Sequence, residues 1–150
     1  MLCVLPDSDP RRKRCENRSW HTSYTGPLLI HSGKSRSWLK GDNFGLTEDE
    51  MVFGAIVGVC RVEGCAKIMP SITKNGMGQR VRGANILEPA DKARWPWLEF
   101  DEHANGEYGM ILGDCRAFPE PITYRGFQGF FDVPQEVVAA QLEEVGWPKA

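Results

Sequence analysis

The run FGAIVGVCRV, residues 53–62, constrains the fold most. Its β-branched residues read as a buried strand, and Gly54 and Gly58 suggest a bulge or sharp coiling of the kind a small barrel needs. Two more apolar runs fit beside it. GPLLIH, residues 26–31, follows a glycine-proline turn and reads as a buried strand. GEYGMILG, residues 106–113, places Tyr108, Met110 and Leu112 on one face and Ile111 on the other. FPEPI, 118–122, is proline-rich and suits an edge strand or a covering loop, and RGFQGFFDVP, 125–134, reads as a final strand.

Helical signals are few. TEDE, 47–50, has capping-box spacing for a brief helix. PQEVVAAQLEEVG gives a terminal helix, opened by Pro134, striped by Val138, Leu142 and Val145, and stopped by Gly146 and Pro148. Between Met69 and Lys92 the pattern dissolves into Gly, Pro, Asn and the cations Lys74, Arg80 and Arg82, which predicts a long loop at about 69–92. There is no internal repeat. The expectation is an α+β chain of one domain over 11–150, a small barrel with flanking helices, preceded by a poorly patterned segment at 1–10.

Totals bound the function. The 150 residues carry 41% hydrophobic and 25% charged residues, ordinary for a globular protein. No run reaches the roughly 18–20 apolar residues of a membrane span, and the N-terminus lacks the charge order of a signal peptide, so a cytoplasmic protein is expected. Five cysteines with no C-x-x-C spacing argue for reduced, packed thiols rather than a zinc ribbon, although Cys60 and Cys65 flank a turn-like VEG. Glu99, Asp101, Glu102 and His103 cluster without a second histidine, so no metal site is expected. No P-loop, G-x-S-x-G or dinucleotide motif is present, and no cofactor is implied. A pI near 5.9 argues against a protein that coats nucleic acid, but leaves room for a local basic pocket.

Such a pocket is suggested by RRKRCENRSW, 11–20, where Glu16 alone sits among five bases. Over residues 11–18 the net charge is +4, against −2 for the whole chain. In an extended segment Arg14, Glu16 and Arg18 share a face, while Lys13 joins Glu16 if a turn brings it round. A Lys–Glu pair can hold a polar ligand edge, since lysine donates and glutamate accepts. The same residues also fit a solvated basic surface with a weak ion pair. Trp20 beside the cations suits stacking on a base, or a place in the core. His31, at the end of its strand with Lys34 nearby, suits either a ligand contact or a structural hydrogen bond. Trp95 and Trp97 suit an aromatic wall or a lid on the core.

KRCENRSWHTSYTGPLLIHSGKS resembles the signature of ASCH domains, members of the PUA-like superfamily. The family hallmark is G-x-K-x-x-E-x-R. Lys13, Glu16 and Arg18 occupy its charged positions, and Arg11 stands at its glycine. FGAIVGVCRV, YGMILGDCRAFPEPI and YRGFQGFFDVP resemble the family's later strands. The resemblance implies a PUA-like β-barrel of five or six strands with a cleft, and binding of RNA, DNA or a modified nucleoside. It implies ligand contacts from Lys13, Glu16 and Arg18, and the residues read above add Trp20, His31, Lys34, Arg80 and Arg82 as further binding candidates. Some members are hydrolases acting on N4-acetylcytidine or on RNA, which would give Lys13 and Glu16 catalytic roles. In those deacylases a threonine occupies the position held here by Glu16. A purely structural or protein-binding role is the third reading.

Overall fold

The computed structural model describes residues 12–36 and 47–148. The expected N-terminal segment at 1–10, with Cys3, and Arg11 lie outside the described residues. The chain is an α+β protein, mostly antiparallel sheet with few helices. In chain order its elements are β1 (Cys15–Arg18), β2 (Gly26–Ser32), β3 (Ala55–Met69), β4 (Ile72–Lys74), β5 (Arg80–Arg82), β6 (Ile86–Leu87), α1 (Pro89–Arg94), β7 (Tyr108–Thr123) and α2 (Gln135–Glu144). Short 3-10 turns cover Glu48–Glu50 and Pro96–Glu99. Among the described residues the sheet order is β1-β7-β3-β2, with β6 on β3 and β4-β5 as a separate pair. That order is open, and the closed barrel expected from the sequence is not part of it. No helix among the described residues is long and apolar enough to cross a membrane.

Contacts group the chain into two compact units, and β3 and β7 contribute to both. One unit comprises the described parts of Met1–Arg12, Pro27–Cys60 and Asp114–Ala150. Here β3 is buried continuously from Ala55 to Cys60, the signature of a strand covered on both faces. Its core gathers Ile56, Val59, Phe118, Val138 and Trp147, with Leu29, Val137 and Leu142 packed around them. β2 falls where expected, but it is half-buried rather than buried, and only Ser32 is inside. α2 also matches the sequence reading. It ends in a Schellman motif, with Gly146 at φ 64, Gly146 N–H donating to Glu143 O (3.0 Å) and Trp147 N–H to Leu142 O (2.8 Å). RGFQGFFDVP forms no strand. Gly129 at φ 75 breaks the extended path, and Phe131 instead stacks on Tyr124 at 6.4 Å and meets Phe127 edge-on at 5.4 Å.

The other unit comprises Lys13–Gly26 and Arg61–Gly113. In it β3 alternates, with Val62, Ala66 and Ile68 buried and Arg61, Glu63 and Lys67 exposed, so one face meets a core and the other solvent. That core holds Cys15, Ala66, Ile68, Leu87, Trp95, Leu98, Ala104 and Ile111. The expected long loop at 69–92 is instead β4, β5, β6 and the start of α1. β4 and β5 pair antiparallel as a hairpin around Asn75-Gly76, whose Asn75 Oδ1 accepts from Met77 N–H (3.0 Å) and Gln79 N–H (2.9 Å). The Asn-Gly dipeptide is a strong hairpin signal. It was obscured because all six hairpin strand residues are exposed, leaving no apolar alternation to read.

Candidate functional site: the Lys13–Glu16–Arg18 cluster

Alternation along β1 sorts its side chains. Cys15 enters the core, while Glu16 and Arg18 face the opposite way, opposite Met110 and Tyr108 of the antiparallel β7. Asn17 fixes the strand from the core side. Its Nδ2 donates to His103 O (2.7 Å) and Asn105 Oδ1 (2.6 Å), and its Oδ1 accepts from Asn105 N–H (3.1 Å) and Gly106 N–H (2.9 Å). A Cβ on Gly106 would come within 2.8 Å of Asn17 Cβ, so a glycine there allows the close approach. Sequence reasoning passed over Asn17, because an asparagine between two charged residues carries no periodic signal.

On the outward face the carboxylate of Glu16 is divided between two cations. Lys13 Nζ donates to Oε2 at 2.7 Å and Arg18 NH1 to Oε1 at 2.7 Å. Lys13 lies just before the strand, where the chain is not yet committed to strand alternation, and this lets it reach Glu16 across three residues. The three side chains are partly buried, at 21%, 31% and 36% exposure for Lys13, Glu16 and Arg18. Burial pushes the Glu16 carboxyl up, but the charges and hydrogen bonds of Lys13 and then Arg18 outweigh it and hold the pKa below the ordinary carboxylate value. The cluster is therefore two cations on one anion, net positive. Each cation keeps donors beyond those given to Glu16, and a carboxylate has about four lone-pair sites, of which two are used here.

Around the cluster, Trp20 follows β1 and is 39% exposed, and His21 meets Tyr108 edge-on at 5.8 Å. Arg14 places its guanidinium 4.0 Å over the ring of Trp97, which packs on the core of the same unit. Trp95 is a core residue, 6% exposed, and does not form a stacking wall. Lys74 and Arg80 face each other in register on the hairpin, both exposed. Arg82, expected on the long loop as a binding candidate, is held by protein instead. It donates to the carbonyls of Asp101 (3.0 Å), Glu102 (2.8 Å) and Ala104 (2.7 Å) and to Asn85 Oδ1 (3.3 Å).

His31 and Lys34 belong to the other unit. His31 Nε2 donates to Tyr124 O at 3.0 Å and the ring meets Phe131 edge-on at 5.9 Å, which is a structural placement. The stem of Lys34 covers Gly54, where an added Cβ would stand 2.8 Å from its Cγ and Cε. Among the described residues no three His, Cys, Asp or Glu side chains gather in a way that would hold a metal ion. No protein-family model matches the chain, and no curated protein matches it.

Proposed function

We propose that the Lys13–Glu16–Arg18 cluster is the recognition element of a module that binds nucleic acid, RNA in the first instance, or a modified nucleoside. The observation that carries this reading is the shared carboxylate: Glu16 holds Lys13 and Arg18 at 2.7 Å each, presenting donors and acceptors together on one partly buried face. Base edges need both, and a phosphate needs the surplus positive charge. The half-exposed indole of Trp20, close in sequence, offers a stacking surface worth about 1–3 kcal/mol per base. Lys74 and Arg80 support the same reading. Like charges directly opposite one another cost stability, and an anionic ligand would relieve the repulsion. The finer fold that would carry this function is the PUA-like barrel of the ASCH domains, suggested by the hallmark positions 13, 16 and 18.

A hydrolase would ask Lys13 or Glu16 to act on the substrate. Lys13 is instead engaged as a donor to Glu16, and the residue at 16 is a carboxylate rather than the hydroxyl of the deacylases it resembles. Binding without turnover is the stronger reading. The test is affinity for a single-stranded RNA oligonucleotide and for N4-acetylcytidine at low salt. Lys13→Ala and Arg18→Ala should each weaken binding about tenfold, as expected for loss of one charge-assisted contact. Failure to bind RNA, DNA or nucleoside at low salt would overturn the proposal, and turnover of N4-acetylcytidine abolished by Lys13→Ala would replace it with the hydrolase.

A further inference from the structure

Cys60 and Cys115 sit on the neighbouring strands β3 and β7, in the unit that does not contain the Lys13–Glu16–Arg18 cluster. Both are thiols rather than halves of a disulfide. Cys60 is fully buried, whereas Cys115 is partly open to solvent. The two side chains hydrogen-bond to each other, and Arg12 hydrogen-bonds to Cys115 from a third segment of the same unit. β3 and β7 are hydrogen-bonded neighbours, and thiols in contact across neighbouring strands are at a spacing that a disulfide can bridge.

The environment favours a thiolate at Cys115. Its pKa is lowered from 9.0 to about 7, first through the hydrogen bond from Cys60, against burial, and then through the hydrogen bond and charge of Arg12. Asp114 opposes the shift, but its carboxylate is itself gripped by Arg116, Nε to Oδ1 at 2.9 Å and NH2 to Oδ2 at 3.1 Å. Cys15 shows the contrary case. Burial, foremost, pushes its pKa up to about 12, and it is an inert core thiol. One chain thus holds a packed cysteine with no access and a partly open one backed by a donor thiol and a guanidinium.

We propose that Cys115 and Cys60 form a peroxide-reactive dithiol site, with Cys115 the nucleophile and Cys60 the resolving thiol. The Cys115 sulfur attacks an oxygen of a hydroperoxide. The S–O bond forms, the O–O bond breaks, and the leaving alkoxide takes a proton to depart as an alcohol, or as water when the oxidant is hydrogen peroxide. Cys60 then attacks the sulfenic sulfur. The S–S bond forms, the S–O bond breaks, and the departing hydroxide leaves as water with the proton of Cys60. Two thiols lose two electrons and one hydroperoxide gains them. Arg12 steadies the attacking thiolate, and the buried Cys60 completes the disulfide before a second peroxide can carry Cys115 further up the oxidation ladder.

The full-length reduced chain is treated with stoichiometric hydrogen peroxide, its remaining thiols are alkylated, and the digest is read by mass spectrometry. A Cys60–Cys115 linked peptide and the loss of two of the five thiols are expected. Iodoacetamide should modify Cys115 with a half-maximal rate near pH 7, and at that pH faster than the likewise partly open Cys65. Arg12→Gln should move that midpoint upward, and Cys60→Ser should leave a sulfenic acid at Cys115 that dimedone captures. Should Cys60→Ser not fold, the linked peptide and the alkylation profile of the unmodified chain decide. Peroxide treatment that yields no Cys60–Cys115 link, or a Cys115 that reacts no faster than Cys65, would overturn the proposal.

Discussion

Glu16 is the residue on which most depends, and its titration can be followed. Its folded pKa lies below the ordinary carboxylate value because Lys13 and Arg18 overcome the effect of burial. A carboxyl depressed on folding contributes stability above its unfolded pKa and loses that contribution as pH falls through the folded value. Glu16→Gln should therefore cost about 1 kcal/mol at neutral pH, the scale of a partly buried ion pair. The difference from the native chain should shrink as pH falls through the folded value, and vanish once the carboxyl is protonated in both states. Denaturant titrations of both chains across that range check it, and a constant difference at every pH would show that Glu16 acts by packing. The sequence displayed this residue plainly, since a lone acid among five bases is visible by inspection. Asn17 and the Cys60–Cys115 neighbourhood were not legible, because their partners lie on distant segments and only folding joins them.

Elements were readable where one face meets a core and hidden where neither does. β3 and β7 announced themselves through apolar residues, although their lengths, 15 and 16 residues, exceed the runs that marked them. The exposed β4–β5 hairpin gave no alternation, and the aromatic segment after β7 suggested a strand that Gly129 forbids. α2 was the clearest, with Pro134 before it and Gly146 after it. What the sequence concealed is how that helix is anchored. Its last turn contains no basic residue, so its terminal carbonyls are met from β7. Arg116 NH1 donates to Val145 O (2.9 Å) and Gly146 O (2.7 Å), its other nitrogens grip Asp114, and its guanidinium lies 5.3 Å from the Trp147 ring. Arg116→Ala should destabilise the chain by about 1.5–3 kcal/mol, the range for hydrogen bonds to a charged group. Arg116→Lys should recover only part of this, because an ammonium lacks the planar fork. Thermal melts of the three chains test it, and an Arg116→Ala melt equal to the native one would remove Arg116 from the anchor.

Across the whole molecule, charge is segregated rather than abundant. Residues 11–18 carry +4 in a chain of −2, so the remainder carries −6. A net-acidic remainder disfavours broad contact with a polyanion, which confines contact to a few phosphates near basic residues and leaves base edges and stacking to supply the rest. That division has a measurable consequence. Each phosphate neutralised on a single strand contributes about 0.7 to the slope of log affinity against log salt, so three contacts give a slope of about −2 and a loss of about 20-fold between roughly 50 and 200 mM salt. Removing one contact with Lys13→Ala or Arg18→Ala should make the slope shallower by about 0.7, whereas Trp20→Ala should lower affinity at every salt concentration and leave the slope unchanged. Fluorescence anisotropy with a labelled RNA oligonucleotide separates the two. A slope of about −6 or steeper would mean many phosphates held along the surface, and a slope near zero would mean that the basic patch does not meet the backbone. Either result would detach the Lys13–Glu16–Arg18 cluster from nucleic-acid recognition.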